Sequence, residues 1–271
     1  MRVGMCQLRA GDDLAANLVL AEDLIGRAAG AGADLAALPE VFDYHGPFRG
    51  VREAARTVPG EVSDRIGAAA REAGMWVLAG SILELEGDDV FNTSLLFDRS
   101  GELVARYRKI HLFDVELEGQ PPIKESTAYA AGRELVTAET EFGRIGLSIC
   151  YDVRFPELYR GLMALGAGIV FVPSAFTHTT GEAHWHSLLR ARAIENQCFV
   201  IAPAQWGTWG SSDDPRRCYG HSLAVDPWGR ILAEGPEEGD TVVTAEVDLA
   251  ELRRVRTTLP ALQHRRLGPA R

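Results

Sequence analysis

The chain has 271 residues, 46% of them hydrophobic and 24% charged, with a formal charge of −10. This composition excludes a disordered or collagen-like chain, and the charge argues against a nucleic-acid or anionic-membrane surface. Of the 28 basic residues only two are lysines, Lys109 and Lys124, so a lysine kept here calls for a reason. In chain order, Arg2–Gln7 reads as a strand. Leu14–Ala31 carries Leu14, Leu18, Ala21, Leu24 and Ile25 at helical spacing. Asp34–Leu38 is a short apolar strand stopped by Pro39. Val62–Ala73 reads as helix, Met75–Leu83 as strand, and Thr93–Phe97 with Glu102–Lys109 as a hairpin around Asp98-Arg99-Ser100-Gly101. Leu112–Ala131 shows no periodicity and carries Gly119, Pro121 and Pro122, so it reads as a long functional loop. Ile145–Ile149 is a further strand.

The second half repeats the first. Arg2-Val3-Gly4-Met5 resembles Arg144-Ile145-Gly146-Leu147, and Gly32–Pro39 resembles Gly166–Pro173. Ser94–Gly101 resembles Ser222–Gly229, each followed by a strand reaching Ala105 or Ala233. Three matches in the same order indicate two similar β/α halves. Apolar strands need cover on both faces, and amphipathic helices supply it on one; the other face packs on its twin. The expected fold is α/β, a four-layer αββα sandwich with internal pseudo-twofold halves. With no linker between the halves, residues 1–271 read as one domain. The tail from Leu259, with Pro260, Pro269 and three arginines, is expected to wrap onto a partner subunit.

The N-terminus lacks the features of a signal peptide, and the longest apolar runs, such as Gly168–Pro173, are strand-sized. Cys6, Cys150, Cys198 and Cys218 form no Cys-x-x-Cys pair and are expected to be free thiols in a reducing, cytoplasmic setting.

Three residues stand where strands give way to loops, the usual place for sites in α/β sheets. Cys150 follows a strand and precedes a helix that can begin at Pro156; by position alone, a buried hydrophobe and a nucleophile weigh equally. Glu40 follows Leu35–Pro39, and a carboxylate there must be solvated, paired or used chemically. Lys109 ends a strand. A glutamate can accept a thiol proton, a thiolate can attack a carbonyl carbon, and a lysine can hold the negative charge that develops on the oxygen.

Leu38-Pro39-Glu40, Tyr107–Phe113 and Cys150–Glu157 resemble the three signature blocks of the nitrilase superfamily of carbon–nitrogen hydrolases, and the resemblance runs from Val3 to about Leu267. It implies a Glu–Lys–Cys triad and a cysteine thioester intermediate. Glu40 would be the base, Lys109 the oxyanion stabiliser and Cys150 the nucleophile, with the backbone N–H of Tyr151 as a second oxyanion donor. It also implies a further glutamate between lysine and cysteine. Glu125 matches best, ahead of Glu116 and Glu118. Arg154, Glu157 and Asp152 match positions read as an ion-paired brace of the helix start. A different cysteine enzyme with His111 or His184 as base, and a silent binding protein of the same fold, are the alternatives.

Flanking segments, among them His111–Glu116, Thr180–Trp185 and Leu188–Gln197, resemble the branch of ω-amidases and deaminated glutathione amidases. The resemblance implies hydrolysis of a linear amide, deaminated glutathione or a related 2-oxo-acid amide first, with 2-oxoglutaramate and N-carbamoyl or other aliphatic amides as alternative substrates. For an anionic substrate, Arg154, Arg190 and Arg192 are candidate carboxylate partners, although residues two apart on a helix cannot both face one pocket. Tyr151, Ser174, Phe176, Thr177 and His184 are further candidates to line the site. Trp206–Arg217 departs from the branch and reads as a polar loop at the pocket rim. The seven histidines show no metal spacing, and no glycine fingerprint marks a dinucleotide, so no metal or cofactor is expected. The partners expected are a small amide substrate and further copies of the chain, in a homodimer or higher homo-oligomer, with no nucleic acid and no membrane.

Overall fold

The computed structural model describes residues 1–116, 121–211 and 214–267. Glu118, Gly119 and Pro269 of the sequence reading, and residues 212–213 of the segment Trp206–Arg217, lie outside them. The first half contains β1 (Arg2–Gln7), α1 (Leu14–Gly30), β2 (Leu35–Ala37), α2 (Val51–Ala54), α3 (Glu61–Ala73), β3 (Trp76–Glu86), β4 (Asp89–Phe97) and β5 (Leu103–Arg108). A connecting segment holds the short strands β6 (Asp114–Val115) and β7 (Ile123–Lys124). The second half has β8 (Thr137–Thr140), β9 (Gly143–Leu147), α4 (Pro156–Ala164), β10 (Ile169–Phe171), α5 (His178–Asn196) and β11 (Phe199–Ala202). It continues through β12 (Trp206–Ser211), β13 (Asp214–Tyr219), β14 (Leu223–Val225) and β15 (Ile231–Glu234). The last elements are β16 (Thr241–Glu246) and α6 (Leu249–Thr258).

Two six-stranded sheets form, in the orders β16-β1-β2-β3-β4-β5 and β8-β9-β10-β11-β14-β15. The orders correspond strand for strand. In each, three central strands run parallel and the outer ones antiparallel. The repeat read from sequence therefore exists as topology. Its matched blocks are β1 with β9, β2 with β10, and the β4–β5 turn with the β14–β15 turn.

The side-chain alternation of the strands explains the layers. Val3 and Met5 of β1, Leu35 and Ala37 of β2, and Trp76 and Leu78 of β3 join the core shared with the second half. Their neighbours Cys6, Ala36, Val77 and Ala79 face α1 and α3 in a separate core. Each first strand keeps one matched glycine for close helix packing. A Cβ at Gly4 would meet Ala28 of α1 at 2.9 Å, and one at Gly146 would meet Leu162 of α4 at 3.1 Å. The chain thus folds as the expected αββα sandwich.

Two expectations change. The segment from Leu112 to Ala131 is not structureless: β6 pairs with β7, and a 3₁₀ turn follows at Glu125–Thr127. The segment Trp206–Arg217, expected as a loop, lies largely in two antiparallel strands, β12 and β13, with Trp206 opposite Tyr219 and Trp209 opposite Arg216. Its glycines made it read as a loop. Gly207 and Gly210 instead adopt positive φ within the twisted ladder (+76° and +92°).

Candidate active site

Glu40 is positioned by a break in β3. The β3–β4 register shifts between Ala79 and Ile82, which turns Ser81 toward the loop after β2. Ser81 then donates its N–H to the Pro39 carbonyl (3.2 Å) and accepts the Val41 N–H at its hydroxyl (2.9 Å). Gln205, just after β11, donates to the Glu40 carbonyl (2.9 Å). The Glu40 carboxylate is buried and fully engaged. Oε1 accepts from Lys109 Nζ (2.7 Å) and Asn92 Nδ2 (2.9 Å), and Oε2 accepts from the Ala175 N–H (2.7 Å).

Lys109 follows β5, its backbone pinned to the Asn92 carbonyl (2.8 Å) and to the Gly132 N–H (2.8 Å). Its ammonium is 1% exposed, 2.7 Å from Glu40 Oε1 and 2.9 Å from both oxygens of Glu125. Glu125 also accepts the Phe113 N–H (2.8 Å), which ties the connecting segment to the lysine. Burial works against the Lys109 charge, but the Glu125 and Glu40 carboxylates outweigh it and hold the ammonium well above its usual pKa. Burial raises the Glu125 carboxyl, and nearby Glu40 adds to the rise while Lys109 opposes it.

Cys150 sits at the elbow after β9, at φ +44°, a conformation few non-glycine residues adopt. The turn Cys150–Arg154 leads into α4, which begins at Pro156 as the fixed φ of proline favours. The N–H groups on either side of Tyr151 are used, Cys150 by Pro173 and Asp152 by Ile149. The Tyr151 N–H donates to no protein acceptor among the described residues. Burial raises the Cys150 thiol well above its usual pKa, the Glu40 charge raises it further, and Lys109 opposes both. The cysteine therefore rests as a thiol beside a carboxylate.

Asp152 joins the lysine block to the cysteine block. It accepts from Tyr107 Oη (2.7 Å), the Ile149 N–H (2.8 Å) and the His111 N–H (3.1 Å), and contacts His111 Nδ1 at 2.7 Å. This brace was expected to include Arg154 and Glu157. Arg154 instead contacts His184 Nδ1 at 3.4 Å and stands over the rings of Phe176 and Tyr151.

Comparison with known proteins decides the family. A model of the carbon–nitrogen hydrolase family matches residues 2–257. The chain belongs to this family. It is 42% identical to the deaminated glutathione amidase of Bos taurus over 97% of this chain and 81% of that one. Among solved structures, Saccharomyces cerevisiae Nit3, a member of branch 10 of the nitrilase superfamily, superposes with a TM-score of 0.88 at 33% identity, covering 98% of this chain and 97% of that one. The amidase of Nesterenkonia sp. AN1 superposes with a TM-score of 0.83 at 27% identity over 98% and 94% of the two chains. One form of it carries the acetamide moiety of fluoroacetamide covalently added at the active-site cysteine. The chain is accordingly a carbon–nitrogen hydrolase that cleaves amides.

In this hydrolase a narrow cavity of about 40 Å³ opens at Cys150, Glu40 and Glu125. Of the residues expected to line it, Tyr151, Phe176 and Thr177 do so. Ser174 does not: it is fully buried and its hydroxyl donates to the Val172 carbonyl (2.8 Å). Arg154 and His184 also stay outside the lining, as does His111, which stacks on Phe155. Arg190 and Arg192 are structural, donating to the carbonyls of Gly229 and Val153 (2.8 and 2.7 Å). Glu116, the rejected alternative to Glu125, pairs with Lys124 at 3.7 Å.

Sequence reading missed most of the opposite wall, made by Tyr44, His45, Phe48, Tyr129 and Thr180; Trp209, which completes it, belongs to the segment expected at the pocket rim. His45 stacks on Trp209 at 4.3 Å, and burial lowers its pKa to about 3, so it is neutral at pH 7. Just behind, buried Asp43 accepts the Leu83 N–H with one oxygen (3.0 Å) while the other has no partner. Burial pushes this carboxyl up to about 7. A carboxyl raised on folding holds its proton longer in the folded state, so the fold loses stability as pH rises from about 4 to 7. Asp43→Asn removes that loss. Its Tm, measured by calorimetry, is expected to gain on the wild type as pH goes from 5 to 8.

Proposed function

We propose that this carbon–nitrogen hydrolase cleaves the amide of a 2-oxo acid through a cysteine thioester, with deaminated glutathione as its first substrate and simple 2-oxoglutaramate as the closest alternative. The observation that carries the proposal is the convergence of Glu40, Glu125 and Cys150 on one narrow cavity, with the Lys109 ammonium held between the two carboxylates just behind its wall, in a chain 42% identical to a deaminated glutathione amidase.

Glu40 takes the Cys150 proton as the sulfur attacks the amide carbon. Burial and the Glu40 charge keep the thiol protonated until then, so proton transfer and attack belong together. The oxygen of the tetrahedral adduct gains negative charge, met by Lys109 Nζ and the Tyr151 N–H. Glu125 keeps Lys109 in place and protonated. The protonated Glu40 then gives its proton to the leaving amine, and the C–N bond breaks to leave a Cys150 thioester. Water enters, Glu40 accepts one of its protons as the oxygen attacks the thioester carbon, the C–S bond breaks to give a carboxylic acid, and Glu40 returns the proton to the Cys150 sulfur, restoring the free thiol and the carboxylate. No lysine or arginine lines the cavity among the described residues. We therefore assign the substrate carboxylate to hydroxyl donors of the wall, Thr177 and Thr180 first, with Arg154 supplying charge from behind the rings of Tyr151 and Phe176.

Release of amine or ammonia from deaminated glutathione, 2-oxoglutaramate and simple N-carbamoyl amines tests the assignment. A kcat/KM for deaminated glutathione at least tenfold above the others is expected, with none of the three hydrolysed by Cys150→Ala. Equal rates on all three would overturn the substrate; turnover by Cys150→Ala would overturn the chemistry.

The finer setting is part of the same reading. All four cysteines are buried free thiols, which fits a reducing cytosol, and no helix among the described residues is long and apolar enough to cross a membrane. Exposed Ile194, Trp228, Leu259 and Leu267 support a homodimer in which the segment after α6 reaches a second copy.

A further inference from the structure

Three side chains far apart in sequence meet outside the reaction centre. His186 lies on α5, His221 between β13 and β14, and Glu234 at the end of β15. His186 Nε2 and His221 Nδ1 contact the same oxygen, Glu234 Oε1, at 3.0 and 2.9 Å. One donor atom from each residue lies within 4.8 Å of the other two. We propose that His186, His221 and Glu234 form a binding site for a divalent transition-metal ion of the zinc class.

Donor chemistry supports this class. Two imidazole nitrogens and one carboxylate oxygen suit zinc, cobalt or nickel, whereas calcium and magnesium take oxygen donors. Geometry agrees. An ion about 2.0–2.1 Å from each donor sets neighbouring donors about 2.9 Å apart at a right angle and about 3.4 Å apart at the tetrahedral angle. The two nitrogen-to-oxygen separations, 3.0 and 2.9 Å, match the first and reach the second by a shift of a few tenths of an ångström, and the two imidazole nitrogens lie within 4.8 Å of each other, so a ring rotation would complete the set. Each imidazole turns toward Glu234 the nitrogen that would bind, so the ion would replace two N–H protons.

The site is also held in shape. His221 has φ +54°, an unusual conformation that persists only where its surroundings impose it. Here they do: its N–H donates to the Pro236 carbonyl (3.1 Å), and its carbonyl accepts from Trp185 Nε1 (2.8 Å). The Tyr219 ring lies 4.4 Å from the His221 ring and edge-on to His186. No lysine or arginine pairs with Glu234 among the described residues, so its charge is left to the histidines. All three side chains are partly exposed, which admits an ion and lets water complete its coordination. None of them lines the cavity at Cys150, so the ion would brace α5 against the β14–β15 edge rather than act on substrate. The three ligands are separated by 35 and 13 residues in sequence, which is why histidine spacing showed no metal set.

Calorimetric titration of Zn²⁺ into the full chain, stripped with chelator and held near pH 7.5, tests the site. The expected result is one equivalent bound, with a rise in Tm. His186→Ala and Glu234→Gln should each weaken binding at least tenfold and remove the Tm rise, while leaving metal-free amide hydrolysis unchanged. Co²⁺ bound at the same place should lack the intense sulfur-to-metal absorption of a cysteine site. The proposal is overturned if the wild type binds no equivalent, if both variants bind as tightly as wild type, or if the cobalt spectrum shows thiolate ligation.

Discussion

Lys109→Arg is expected to cost this hydrolase as much as Lys109→Ala, lowering kcat on its best amide by about 10³-fold, the scale of losing an oxyanion donor. The expectation runs against composition, because the chain carries arginine at 26 of its 28 basic positions. The physical reason is the size and shape of the ammonium. Its nitrogen makes three contacts of 2.7–2.9 Å to two carboxylates in a space with 1% exposure. A guanidinium is planar and wider, and it presents its donors as a fork rather than as a point. Placed here it would press Glu40 and Glu125 apart and point no N–H at the carbonyl oxygen. The check is steady-state kinetics on both variants beside a thermal melt. If Lys109→Arg kept a tenth or more of wild-type kcat, a point donor at this position would not be required.

The legible part of the site is the part built on strand ends. Glu40, Lys109 and Cys150 each stand within three residues of the end of a strand, β2, β5 and β9, so the sheet edges gather them. The repeat was legible for the same reason, since its matched blocks are strands and tight turns. Glu125 could be proposed only by resemblance. It reaches Lys109 because β6 pairs with β7 and folds the connecting segment back, and two-residue strands leave no periodic trace. The far wall was hidden for another reason. His45 and Trp209 come from segments more than 160 residues apart, and each reads locally as an ordinary loop or rim residue. Ser174 shows the converse error. It follows β10 as Glu40 follows β2, but its short side chain turns back to the Val172 carbonyl, and its neighbours Ala175, Phe176 and Thr177 face the cavity instead. Equivalent backbone position did not carry equivalent side-chain direction.

Glu40→Gln separates proton transfer from the other duties of the site. The amide keeps the volume of the carboxylate and an acceptor for Lys109 or Ala175, but it cannot take a proton. Amide hydrolysis is expected to fall by about 10²–10⁴-fold in kcat, the usual contribution of a positioned base. Alkylation of Cys150 by iodoacetamide should move the other way. The Glu40 charge raises the thiol's pKa and Lys109 lowers it, so removing the first leaves the second unopposed there. The pH at which alkylation accelerates should therefore drop below that of the wild type. A misfolded site would lose hydrolysis without that ordered shift. A base elsewhere, such as His111, predicts near-normal hydrolysis in Glu40→Gln, and that result would remove Glu40 from the proton path. Loss of turnover together with an earlier-ionising thiol is the pattern that only a charge-bearing base beside Cys150 produces.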